Sequence, residues 1–174
     1  MRVAPLFAVT AAALLVGCDG AAPPSPAEVT IPVFSADASG HFTAAPLHGD
    51  SEVPANDSRG AGTATFRVSD DGAELSYRLI VANTRNVTQA HIHIGPAGAN
   101  GPVVVFLFGL VPGGVTQNGV LAEGTITAAN LIPRPAIGFD GTMAGLLSAM
   151  RSGNAYVNVH TVARPGGEIR AQID

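Results

Sequence analysis

The sequence predicts an all-β fold, namely an antiparallel Greek-key β-sandwich of about seven to eight strands with one short helix. Three observations indicate this class. Short runs of strand-favouring residues recur along the chain, turn signals separate them, and 21 glycines and 13 prolines suit many turns better than long helices. Apolar residues make up 47% of the 174 residues, which is enough for one hydrophobic core.

The first predicted elements are a strand and a hairpin. Residues 41–47 favour a first strand, and residues 62–68 and 73–82 flank a strong turn signal at 69–72. In the second arm of the hairpin the apolar residues alternate with polar ones, which predicts one buried face. That face carries Leu75, Tyr77, Leu79 and Val81.

Five more strands and the helix follow. The continuous apolar run at 103–108 predicts a strand buried on both faces. Thr142 is the expected helix N-cap and Gly153 the expected stop. Between them Met143, Leu146, Leu147 and Met150 recur at helical spacing and are expected in the core. The remaining strands are predicted at 87–94, 121–127, 155–162 and 168–173, with the last two joined by a turn at 164–167.

Composition excludes several classes of function. All nine basic residues are Arg and the net charge is −4, so no lysine chemistry is available and no basic stripe for nucleic acid can be drawn. The sequence also lacks a Gly-X-Ser-X-Gly elbow and a phosphate-cradling loop. We therefore expect no enzymatic activity and a binding or structural module instead. A protein partner and the oligomeric state stay open.

The N-terminus predicts a lipoprotein. A positive Met1-Arg2 start precedes an apolar run that ends in Leu15-Val16-Gly17-Cys18, which resembles the bacterial lipobox. Residues 1–17 are then a signal peptide, Cys18 carries the lipid (palmitate among its acyl chains), and residues 18–39 are a flexible tether. The expected location is the cell envelope, with the domain anchored to a bacterial membrane and facing the periplasm or the exterior. Whether that membrane is the inner or the outer one stays open.

Three stretches together resemble one family, the CHRD (chordin) domain, from about residue 40 to the C-terminus. They match in order and spacing, and they are Leu47-His48-Gly49-Asp50-Ser51-Glu52-Val53-Pro54 with residues 60–64, Ala90-His91-Ile92-His93-Ile94-Gly95-Pro96-Ala97-Gly98, and residues 156–161 with 165–170. The resemblance implies a secreted β-sandwich domain at residues 40–174. It implies no firmly assigned activity.

Three histidines are the candidate metal ligands. His91 and His93 alternate with apolar residues, so both should point away from the core, onto the outer face or a sheet rim. The same rule places His160 beside Tyr156 and Asn158 on the outer side of a second strand. If the two strands are neighbours, three imidazoles converge as a ligand set for Cu or Zn. The alternative is structural, with the rings donating hydrogen bonds to carbonyl groups of the Pro/Gly turns.

Other polar residues near these strands have predicted supporting roles. By residue type alone, Glu52 and Glu168 could complete a metal shell. Glu168 and Arg170 share one face, which predicts a surface ion pair, and Asn158 is expected to be structural. A His-X-His strand also resembles copper/zinc superoxide dismutase. That activity is disfavoured, because the enzyme needs more ligands and a disulfide that a chain with one cysteine cannot form.

Overall fold

The computed structural model describes residues 40–174, which form seven strands and one α-helix. The predicted signal peptide, Cys18 and the tether at 18–39 lie outside the described residues. Within residues 40–174, no helix is long and apolar enough to span a membrane. In chain order the elements are β1 (His41–Leu47), β2 (Ala61–Val68), β3 (Leu75–Ile94), β4 (Val103–Phe108), β5 (Val115–Ile126), α1 (Met143–Arg151), β6 (Ala155–Thr161) and β7 (Ile169–Gln172).

The long strand β3 organises the sheet. Its first half pairs with β2 and β5, and its second half pairs with β4 and β6. The sequence predicts two strands here, at 73–82 and 87–94, but the structure has one strand with a bend. Asn83 and Asn86 adopt left-handed backbone angles (φ 57° and 52°), and the register with β5 shifts around Thr84. Asparagine tolerates this conformation, so the strand turns without ending.

The sheet almost closes on itself. Every strand pair is antiparallel, in the order β1-β2-β3-β6-β7. At the open edge, Thr43 and Asp174 exchange backbone hydrogen bonds of 2.7 and 3.0 Å, and His48 and Arg170 exchange two of 3.2 Å. The predicted all-β antiparallel fold with one short helix is therefore confirmed, in a form close to a barrel.

The core fills the inside of this sheet, and α1 packs with it. Thr142 caps the helix by accepting a hydrogen bond from the Gly145 amide at 3.0 Å, and Gly153 follows the helix with a left-handed φ of 67°. The four helix residues predicted for the core are all buried. The predicted N-cap, stop and buried face of the helix are confirmed.

Two further sequence expectations about the strands are wrong. β4 is not buried on both faces, because the Phe106 side chain is 47% exposed. β5 begins at Val115 and not at residue 121, since its first half pairs with the bent region of β3. An apolar run does not by itself show which of its residues are exposed. Phe106 is exposed because it covers polar side chains of a neighbouring strand.

Candidate metal centre

A layer of polar side chains lies on the outer face of β3, β6 and β7. It contains the three histidines, and it also contains Tyr156, Asn158, Arg170 and Gln172. The sequence predicts these histidines on the outer face or a sheet rim; they lie on the outer face but are buried, with 3%, 8% and 7% exposure for His91, His93 and His160. Alternation gave the correct side of the sheet. Loops from distant parts of the chain cover that side and bury the histidines, and alternation within a strand does not predict them.

One covering loop follows β1 and reaches over β6. The Glu52 carboxylate accepts hydrogen bonds of 2.9 and 3.1 Å from the Asn158 side chain. The Asn56 amide donates to the carbonyl groups of Gly167 and Glu168 at 3.4 and 3.2 Å. Gly167 has a φ of 136°, and a Cβ there would lie 2.6 Å from a Glu52 oxygen, so the close approach of this loop requires glycine.

The three imidazoles converge because β3 and β6 are neighbours. His91 lies opposite Asn158 in the antiparallel register, and Gln89 lies opposite His160. The ring centroids are 5.5 Å apart for His91 and His93, 4.9 Å for His91 and His160, and 6.2 Å for His93 and His160. One nitrogen from each ring fits within a group whose members are all within 4.8 Å of one another. Three nitrogens this close together could hold one metal ion between them.

Burial keeps these rings neutral. It lowers the pKa of His91 to about 3, with a smaller contribution from the neighbouring His160 and His93. It lowers the pKa of His93 to about 4, against the opposing hydrogen bond to Gly101. Burial also lowers the pKa of His160. Neutral imidazole is the form that binds metal ions.

Backbone carbonyl groups fix which nitrogen carries the proton. His93 Nδ1 donates to the Gly101 carbonyl at 2.8 Å, and His160 Nδ1 donates to the Pro165 carbonyl at 2.9 Å. A neutral ring with its proton on Nδ1 has a lone pair on Nε2. His160 Nε2 accepts a hydrogen bond of 3.2 Å from His91 Nδ1, so His91 also keeps its lone pair on Nε2. The Nε2 atoms of His91 and His93 are buried and have no hydrogen-bond partner in the structure.

A family model for the CHRD domain matches residues 26–173, which is most of the chain. The chain belongs to the CHRD domain family. Searches of curated proteins and of solved structures give no significant match.

Tyr156 and Arg170 support the histidines of this CHRD domain. The Tyr156 ring stacks on His93 with centroids 4.7 Å apart, and the Arg170 guanidinium carbon lies 3.4 Å from the centre of the Tyr156 ring. The Tyr156 hydroxyl accepts a hydrogen bond of 3.0 Å from the amide of Gly101, whose carbonyl holds His93. Arg170 donates to the carbonyls of Pro96 and Ala99 at 3.2 and 2.7 Å. Both residues therefore hold the loop that sets the tautomer of His93.

The predicted ion pair between Glu168 and Arg170 is wrong. Arg170 is 1% exposed, and its guanidinium is taken up by the loop after β3. The Glu168 carboxylate instead accepts hydrogen bonds from the Ser58 and Thr161 hydroxyls. The period-two rule places both side chains on one face, as predicted, but covering loops provide each with a nearer partner.

Glu52 and Glu168 stand outside the group of three converging nitrogens. Burial raises the pKa of Glu52 to about 7, although the Asn158 hydrogen bond and the charge of Arg170 oppose the change. The sequence suggested both carboxylates by residue type as further ligands. In the structure each is held by neighbouring side chains, Glu52 by Asn158 and Glu168 by Ser58 and Thr161.

Sequence reasoning missed three contributors to the site. Tyr156 was placed on the correct face without a role, and the Gly101 carbonyl carried no signal of its own. Phe106 packs edge-on against His91, with centroids 4.4 Å apart and an angle of 89° between the rings. The register between β3 and β4 decides that contact, because His91 lies opposite Phe106.

Proposed function

We propose that this CHRD domain is a binding module for a transition-metal ion, Cu or Zn, held by His91, His93 and His160. One observation carries the proposal: three buried neutral imidazoles converge, and two of them have Nε2 lone pairs with no hydrogen-bond partner among residues 40–174. An unpartnered buried polar atom costs about 1–3 kcal/mol. A metal ion bound by these nitrogens would satisfy them.

The tautomers support the same proposal. Histidine ligands of metal ions usually donate their second ring N–H to a carbonyl or carboxylate, which fixes the ring and its lone pair. His93 and His160 make this contact with Gly101 and Pro165. Because the rings are already neutral, binding needs no deprotonation at neutral pH. It exchanges the hydrogen bond between His91 and His160 for ligation of the ion by His160 Nε2.

Elemental analysis tests the proposal. The full-length protein, purified without an affinity tag and incubated with Cu or Zn before desalting, is expected to hold one metal ion per chain. His93→Ala should lose the metal, because it removes a ligand. His41→Ala is the matched control, since His41 lies outside the group, and it should keep the metal. Equal metal content in both variants, or none in the wild type, would refute the proposal.

The second candidate function is purely structural, and it also has an observation in its favour. The hydrogen bonds of His93 and His160 to the two Pro/Gly turns hold these turns against the sheet. Under this alternative, His93→Ala and His160→Ala both lower the free energy of unfolding. Cu and Zn leave the stability of the wild type unchanged.

We also propose that the domain is displayed in the cell envelope by a lipid on Cys18, without enzymatic turnover. The Leu15-Val16-Gly17-Cys18 sequence supports this. In a bacterial host, labelled palmitate should enter the wild-type protein and not Cys18→Ser, and globomycin should block maturation of the wild type. Palmitate labelling that persists in Cys18→Ser would contradict the anchor.

A further inference from the structure

The donor set of the candidate centre carries no negative charge. The three nitrogens come from neutral rings, and in residues 40–174 no Asp, Glu or Cys joins them. The two buried carboxylates of the described residues are engaged elsewhere, Glu52 with Asn158 and Glu168 with Ser58 and Thr161. A dication bound here would therefore keep its full charge in a buried place, which is costly.

A buried positive charge, the guanidinium of Arg170, lies close to the site. The Arg170 guanidinium stacks on Tyr156, and Tyr156 stacks on His93, so the positive charge is one ring away from a ligand. Arg170 donates its hydrogen bonds to carbonyl and amide oxygens, and among the described residues no carboxylate lies within ion-pair distance of it. Its repulsion of a bound ion is twice as large for a dication as for a monovalent ion. Glu52 offsets only part of this charge, because its pKa is raised to about 7.

Among residues 40–174, no fourth ligand is available on the side of His91. The edge-on Phe106 ring occupies that side, and the three rings are almost fully buried. Zn²⁺ takes a fourth ligand, either a side chain in structural sites or a bound water where the protein supplies three. Cu⁺ is stable with three nitrogen ligands in a planar arrangement, so it needs neither a fourth side chain nor a bound water.

We infer that the three-histidine site selects Cu⁺ over Zn²⁺. This inference rests on the proposed function and names its metal. Charge and coordination number favour the same ion independently. The neutral ligands and Arg170 disfavour a dication, and Phe106 occupies the place of a fourth ligand. No redox step is included, because the site is proposed to hold the ion only.

Competitive titration of the full-length protein tests the inference. Under anaerobic conditions, Cu⁺ is titrated against a Cu⁺-specific chelator, and Zn²⁺ is titrated separately against a zinc indicator. The expected result is one Cu⁺ per chain, bound at least about tenfold more tightly than Zn²⁺, which is a difference of about 1.4 kcal/mol. Zn²⁺ binding that equals or exceeds Cu⁺ binding at the same histidines overturns the inference and leaves the proposed function intact. Binding of neither ion overturns the proposed function itself.

Variants of Phe106 separate the coordination argument from folding. Phe106→His places a fourth imidazole beside His91 at a half-exposed position, so the fold should tolerate it. We expect about a tenfold gain in Zn²⁺ affinity and a smaller change for Cu⁺. Phe106→Leu is the matched control and should leave the ratio of the two affinities unchanged. An unchanged ratio in Phe106→His would count against the inference.

Variants of Arg170 test the charge argument. Arg170→Met removes the charge and Arg170→Lys keeps it, while both lose the planar hydrogen-bond pattern. The preference for Cu⁺ should be smaller in Arg170→Met than in Arg170→Lys. Equal preferences in two folded variants would contradict the role of the charge. If neither variant folds, the Phe106 pair decides the inference.

Discussion

In the polar layer, burial decides which hydrogen bonds each side chain makes. Each buried polar atom needs a partner, and the layer supplies one for almost every group, from Glu52 with Asn158 to Arg170 with the loop carbonyls. Among the residues described, the side-chain exceptions are Thr84, Asn158 and two of the histidines. The exceptions at the histidines are the ones that point to a ligand, because both lone pairs belong to one converging group.

Glu52 gives a residue-scale prediction. Its pKa is raised from 4.5 to about 7 in the folded state, so between these values the folded protein holds a proton that the unfolded chain has released. The associated stability is present below pH 4.5 and is lost as the pH rises through 7. Glu52→Gln cannot ionise. We expect its free energy of unfolding to rise relative to that of the wild type over this range, by up to about 3 kcal/mol.

Urea denaturation of both metal-free proteins at pH 4.5 and pH 8 measures this difference. The histidines, whose pKa values are lowered, act below pH 6.5 and in the opposite direction, but they are common to both proteins and cancel in the comparison. A difference in unfolding free energy that is independent of pH would show that Glu52 is not a perturbed carboxyl group.

At the scale of elements, the loop between β3 and β4 decides the geometry of the candidate centre. It supplies the Gly101 carbonyl to His93 and receives the Arg170 hydrogen bonds. The loop also passes close to its own strand, since a Cβ on Gly101 would lie 1.7 Å from the Ile94 carbonyl oxygen. This position therefore requires glycine for a steric reason, without any unusual φ.

Gly101→Ala is expected to displace this loop and to reduce metal binding together with stability. The backbone must move, so we expect a loss of roughly 2–4 kcal/mol in the free energy of unfolding. Gly166→Ala is the matched control, because nothing lies within 4 Å of its Cβ position, and it should change stability by less than about 0.5 kcal/mol. Urea denaturation and metal content of both variants check this; equal effects would contradict the steric role.

At the scale of the whole molecule, the candidate centre ties the second half of β3 to β6 and to the loops that cover them. A metal ion that binds only the folded state stabilises it by about 4 kcal/mol when its concentration is 1,000 times the dissociation constant. For a chain of this size that corresponds to a rise in Tm of roughly 8–16 °C.

Differential scanning calorimetry with and without Cu or Zn measures that rise. His41→Ala should show the same rise as the wild type, and His93→Ala should show almost none. A rise that persists in His93→Ala would place the bound ion at another position in the chain.

The sequence by itself determined the class of fold, the helix with its cap and stop, and the side of the sheet on which the histidines lie. These features follow from local rules, because alternation, turn residues and capping act over a few neighbouring positions. Only the tertiary structure decided that β3 is continuous, that the histidines are buried, that Arg170 binds a loop and not Glu168, and that Phe106 covers His91. Each of these depends on contacts between distant parts of the chain, and periodicity in one strand carries no information about the loop that covers it.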